Sequence, residues 1–232
     1  MNLLRTTTLA LTLAAAAALP GTAQASLSIL SSVGGAPTGV NTWNLDAGVA
    51  TPDDIAGIQF TGSAGFVTGN SGGRYAAPFL SGNNGAGFGA NGGNQANGQD
   101  TTRYLTTGST GERGGAGISI SFTQDQQYLG LLWGSVDAYN ILRFYDGATL
   151  IGTLTGSSVT PQATGNQGAN GTYYVNINST VAFDRVEFSS NGYAFEFDNL
   201  AWNRQAVPEP STMLLLGFGL VGLGMAWRLR RA

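Results

Sequence analysis

The 232-residue chain has no cysteine, no histidine and no lysine; its ten basic residues are all arginine. Each absence removes a class of chemistry. Without cysteine there is no disulfide to staple the fold and no thiol nucleophile, so stability must come from packing. Without histidine there is no Ser-His-Asp triad, no usual zinc or copper site and no imidazole acid or base. Without lysine there is no Schiff base and no P-loop grip on phosphate. Carboxylate chemistry and oxygen-ligated Ca²⁺ remain open. Between Ser26 and Val207 six arginines stand against 12 acidic residues, a net charge of about −6. A nucleic-acid partner, which needs a basic face, is thereby excluded.

What is present begins with two apolar runs at the ends. Arg5 and the amino terminus precede an apolar stretch from Leu9 to Leu19, and Ala23-Gln24-Ala25 forms a small-residue cleavage site, with Ala23 and Ala25 in the two specificity positions. This reads as a signal peptide over residues 1–25, taken by the Sec export machinery and cut by signal peptidase to leave Ser26 first. The second run, Met213 to Trp227, is 15 residues without charge, about 22 Å as a helix against a hydrocarbon core of about 30 Å. Arg228, Arg230 and Arg231 follow it. Arginines are retained on the cytoplasmic side, so the expected transmembrane helix, about 211–228, places the C-terminus inside and the body outside. Its glycines, 217, 219, 222 and 224, are tolerated in a membrane span.

Pro208-Glu209-Pro210, the apolar run and the arginine cluster together resemble the PEP-CTERM sorting signal of Gram-negative surface proteins, over about 26 residues (207–232). The resemblance implies an exosortase as partner, recognition and removal of the tail at Pro-Glu-Pro, and passage from a transient inner-membrane anchor to the cell surface or extracellular matrix, in association with exopolysaccharide or biofilm. The residues agree with it. Pro208 and Pro210 lack a backbone N–H and have fixed φ, which keeps the recognition segment extended.

The body, residues 26–206, has the length of one domain. Ser28 to Ser32 and Ile55 to Phe60 read as strands, Trp43 to Leu45 as a buried anchor and Pro52-Asp53-Asp54 as a turn. The segment 62–117 is rich in Gly, Asn, Ser and Thr and is expected to be mainly a long surface loop. Its Asn83 to Gln99 stretch is superficially like glycine-rich Ca²⁺ repeats but lacks their repeated aspartate; only Asp100 closes it. After Gly117 the pattern sharpens. Ile118, Ile120 and Phe122 alternate with serines; Tyr128 to Trp133 is a continuous apolar run; Asp146-Gly147 sits between Ile141 to Tyr145 and Thr149 to Leu154 as a hairpin turn. Tyr173, Val175 and Ile177 alternate, as do Val186 and Phe188, and Phe195 and Phe197 face away from Glu196 and Asp198. The expected fold is mainly β, an antiparallel β-sandwich of jelly-roll type. The stretches Leu131 to Asn140, Leu142 to Gly147 and Phe195 to Ala201 are similar to body domains of exosortase-dependent surface proteins, which implies fold and location but no activity.

Three candidate sites follow. Asp137, Asn140, Glu196, Asp198 and Asn199 offer oxygen ligands for Ca²⁺, provided the loop holding the first two folds over the last strand; otherwise the acids face solvent and Asp137 and Asn140 cap a turn. Glu187 and Glu196 are the glutamates available on strands for glycoside hydrolysis. Trp43, Trp133, Tyr139 and Trp202 are rings that stack on sugars where exposed, although Trp133 in its apolar run belongs in the core. Together these give a non-enzymatic exported protein with no required cofactor. A carbohydrate- or Ca²⁺-binding module is the alternative, and a glycoside hydrolase the remote one.

Overall fold

The computed structural model describes residues 26–32, 36–46, 50–79 and 98–207. Ten strands form in chain order: β1 (Leu27–Ser32), β2 (Asn41–Trp43), β3 (Ile55–Thr61), β4 (Gly65–Thr68), β5 (Arg103–Thr106), β6 (Gly117–Gly134), β7 (Asn140–Asp146), β8 (Thr149–Thr155), β9 (Tyr173–Ser190) and β10 (Glu196–Asn203). The expected strand segments 118–122 and 128–133 fuse into β6, and 173–177 and 186–188 into β9. Each fused strand has 18 residues.

Hydrogen bonding joins all ten strands in one antiparallel sheet, ordered β4-β5-β10-β6-β9-β7-β8, with β1 on β9, β2 on β10 and β3 on β6. The sandwich expected from the sequence is therefore a single sheet rather than two separate ones. Its two ends nevertheless face each other. Phe188 is opposite Ile118 at the start of β6, and Phe197 is opposite Trp133 at its end. Along a straight strand those positions are about 50 Å apart. Yet the rings of Phe188 and Phe197 stack with centroids 4.1 Å apart. The β6–β9 ribbon must double over.

The hinge is where the register breaks. Ser121 pairs with Arg185 and Gln126 with Phe183, and the ladder resumes at Tyr128 opposite Asn178. Thr123, Gln124 and Asp125 are exposed there. The irregularity also changes which residues point inward: Ile118, Ile120 and Phe122 before it, Leu129, Leu131 and Trp133 after it, all within one core with Leu142, Phe144, Val186, Phe195 and Trp202. Extra residues in a bulge sharpen twist and redirect side chains. One layer contains β3, β7, β8 and the β6 and β9 halves beside them; the other contains β1, β2, β4, β5, β10 and the remaining halves.

Asp146-Gly147 makes the β7–β8 hairpin as expected, with Gly147 at φ 55°. The Gly/Asn-rich segment is more structured than its composition suggests: β4 and β5 form within it. At the edges of the body, Ser26 N–H donates to Thr180 Oγ1 (2.9 Å) and Thr180 N–H to Ser26 O (3.0 Å). Val207 and Asn178 exchange a similar pair, 2.9 and 2.8 Å. Ala23, Ala25, Pro208, Glu209, Pro210, Arg228, Arg230 and Arg231, and the spans expected as signal and transmembrane helices, lie outside the described residues. Among the described residues no helix is long and apolar enough to cross a membrane.

Candidate functional site

Alternation on the last strand sets the first candidate site. Phe195 and Phe197 point into the core, where Phe195 stacks on Trp133 at 4.2 Å. Glu196 and Asp198 therefore project from the other face. They do not meet solvent, being 1% and 0% exposed. Over them lie the segment 70–79, which reaches Glu196, and the 44–46 turn, which reaches Asp198. Ala76 N–H donates to Glu196 Oε1 (3.0 Å) and Ser135 Oγ donates to Oε2 (2.6 Å). Burial outweighs these donors and pushes the Glu196 carboxyl up to about 8. Next to it, a cleft of about 200 Å³ is lined by Arg74, Tyr75, Asp137, Tyr139 and Tyr193 together with Glu196. Burial also raises the Asp137 carboxyl.

Asn140 anchors this cleft from beneath. Its Oδ1 accepts from Asp137 N–H (2.9 Å) and Trp133 Nε1 (3.3 Å), and its Nδ2 donates to Ser190 Oγ (3.1 Å) and Ala194 O (2.8 Å). Both polar atoms are fully engaged, so Asn140 is a clamp within the turn. Tyr139 is half-buried, its hydroxyl donating to Tyr193 O.

Asp198 belongs to a different group. Its Oδ1 accepts from Leu45 N–H (3.3 Å) and Asn199 N–H (2.7 Å), and Asn199 itself has φ 47° at the irregularity in β10. Across from it is Asp100, 2% exposed, whose Oδ1 accepts from Thr102 N–H (2.7 Å) and the Thr102 hydroxyl. Burial first, and then Asp100 beside it, hold the Asp198 carboxyl well above the ordinary range. The five residues expected to converge are thus divided between two places: Asp137 and Glu196 on the cleft with Asn140 below, and Asp198 with Asn199 beside Asp100. Among the described residues no three acidic side chains are close enough to hold a metal between them. In the sequence Asp100 stands out only as the end of a glycine-rich run. The Asp-x-Thr spacing of its capping turn was the available local signal.

The outer face of the other layer is open. A groove of about 660 Å³ crosses β3, β6, β9 and β7, lined by Gln59, Ser119, Ser121, Arg143, Arg185 and Glu187 among others. Arg185 forms an ion pair with Glu187 and lies 3.9 Å over the Tyr145 ring. Arg143 donates to Ser189 Oγ (3.1 Å). Glu187 is in this groove and Glu196 under the covered face, so the structure does not bring the two glutamates together. Trp43, Trp133 and Trp202 are all buried core, as expected for Trp133.

These features, with the tail, describe an exported β-protein whose most specific signal lies outside its own folded body. Residues 206–231 match the PEP-CTERM protein-sorting motif. The chain therefore carries the signal for export and exosortase-dependent surface sorting, and an exosortase is the processing partner the motif implies. Neither the curated proteins nor the solved structures gave a match.

Proposed function

We propose that the body is a non-catalytic module of the cell surface or extracellular matrix. It is held briefly in the inner membrane by its tail, C-terminus inside, freed by an exosortase near Pro208 to Pro210, and then associated with exopolysaccharide. The body is taken as a β-sandwich of jelly-roll type whose open layer carries the contact. The groove is the observation that supports this reading. Its planar polar side chains stand on neighbouring strands about 4.8 Å apart, a spacing at which guanidinium, amide and carboxylate groups meet successive hydroxyls of a sugar chain.

The non-enzymatic part rests on Glu196, which is enclosed and has both oxygens occupied by Ala76 and Ser135. A hydrolase needs two accessible carboxyls, one protonated and one ionised. The test is retention of the full-length chain, in detergent, on immobilised exopolysaccharide from the producing cells. Arg143→Ala with Arg185→Ala should lower retention about tenfold or more, corresponding to two lost charge-assisted contacts. Unchanged retention would refute the groove as the contact. Release of reducing sugar that disappears in Glu187→Gln would replace the binding reading with hydrolysis.

A further inference from the structure

The pair Asp100 and Asp198 is not explained by sorting or by the groove. Two carboxyls buried side by side are unstable unless something lies between them or next to them that offsets the negative charge. One oxygen of each is already fixed. Thr102 supplies two donors to Asp100 Oδ1, and Leu45 and Asn199 supply two to Asp198 Oδ1. The other oxygens are not. Among the described residues Asp100 Oδ2 is buried with no donor to it, and the contact at Asp198 Oδ2 is the long 3.5 Å one from Asn199 Nδ2. The adjacent turn repeats this shortage: among the described residues Asp46 Oδ1 and Asn44 Nδ2 are also buried without a partner. Arg103, the nearby cation, is directed elsewhere. Its Nε and Nη2 donate to Leu45 O (2.8 Å) and Asp46 O (3.2 Å), and its guanidinium lies 4.3 Å over the Phe66 ring.

We propose that Asp100 and Asp198 hold a hard divalent cation, with Ca²⁺ the best fit, between the β5 end of the 98–103 segment, the 44–46 turn and β10. Two carboxylates match a double positive charge. Oxygen ligands in an irregular, loop-built setting suit Ca²⁺, whose coordination is adaptable, better than Mg²⁺, which requires a near-octahedral shell. Carbonyl and water oxygens complete the shell; Asp46 is not counted, since no third acid converges with the pair. The ion would tie three segments distant in sequence to one point and hold the cover over the β10 carboxylates.

The test uses the full-length chain in detergent, stripped with chelator and then given CaCl₂ or MgCl₂ at about 10 mM, ten or more times the dissociation constants of extracellular Ca²⁺ modules. Ca²⁺ should raise Tm by about 3–10 °C, and equilibrium dialysis should find one ion bound. Asp100→Asn should abolish both effects and, by relieving the repulsion, raise Tm of the chelated protein. That crossing separates an ion site from a merely structural aspartate. Glu187→Gln, in the groove, should respond to Ca²⁺ like the unaltered chain. Absence of bound ion by dialysis with either metal, or a Ca²⁺ response that survives in Asp100→Asn, would overturn the proposal and leave a shared proton between the two carboxyls.

Discussion

The two outer faces of the folded ribbon are built from the same two strands but present opposite chemistry. On the β3–β6–β9–β7 face the outward side chains are Ser119, Ser121, Arg143, Arg185 and Glu187, partly exposed around an open groove in which Arg185 pairs with Glu187. On the face carrying β10, the outward residues Glu196 and Asp198 are as buried as the aromatic core, beneath the segments 70–79 and 44–46. A strand's polar alternate positions therefore do not identify the wet side of a sheet. What lies over them decides it, and here the cover is held by backbone donors such as Ala76 N–H and by the contact of Asp100 N–H with Pro78 O (2.8 Å).

The sharpest test of this contrast is whether the layers are separable. Phe197→Ala removes the ring that stacks on Phe188 across the layers and should cost about 3–5 kcal/mol in urea unfolding. Because both layers share β6 and β9, the loss should appear as one transition. Two resolved transitions would show that the faces belong to independent units. The next effect is pH dependence. In the folded chain Glu196 titrates at about 8, above its ordinary value of 4.5, so the folded state binds the extra proton between those values. Stability should be complete below about pH 4.5 and fall as pH rises through about 8, with a slope approaching about 1.4 kcal/mol per pH unit from this one group. Glu196→Gln, which can still accept from Ala76, should flatten that part of the profile; thermal melts across pH 4 to 9 make the comparison. Ser135→Ala, which takes away the Oε2 donor, should cost about 1–3 kcal/mol by chemical unfolding. Smallest is the effect of Arg143→Ala on the open face: within about 0.5 kcal/mol of the unaltered chain, so that any loss of polysaccharide retention can be assigned to contact rather than to folding.

Much of this was legible locally. The period-two runs, the Asp146-Gly147 turn and the opposite facing of Phe197 and Glu196 are properties of a few adjacent residues. Trp133 in the core followed from its apolar neighbours. What was hidden is non-local. Nothing near Thr123 to Asp125 announces that the strand continues through a corner, since exposed polar residues read equally well as a loop between two strands. The covering of Glu196 depends on Ala76, which is 120 positions away. The pairing of Asp100 with Asp198 depends on a segment whose composition resembles a loop. The sorting motif was legible for the opposite reason: its reader is another enzyme, and a short contiguous segment is what such an enzyme contacts.

The clamps at Ser26 and Val207 have a mechanical consequence. They attach to Thr180 and Asn178, two positions apart on β9 and so about 7 Å from each other. The chain enters and leaves the body at one corner, the arrangement that lets a domain be carried as an insert by a host chain. Tension applied beyond Val207 reaches Asn178 first, and through it the ribbon common to both layers. The body resists such a pull at its best-connected strand instead of unzipping from an edge.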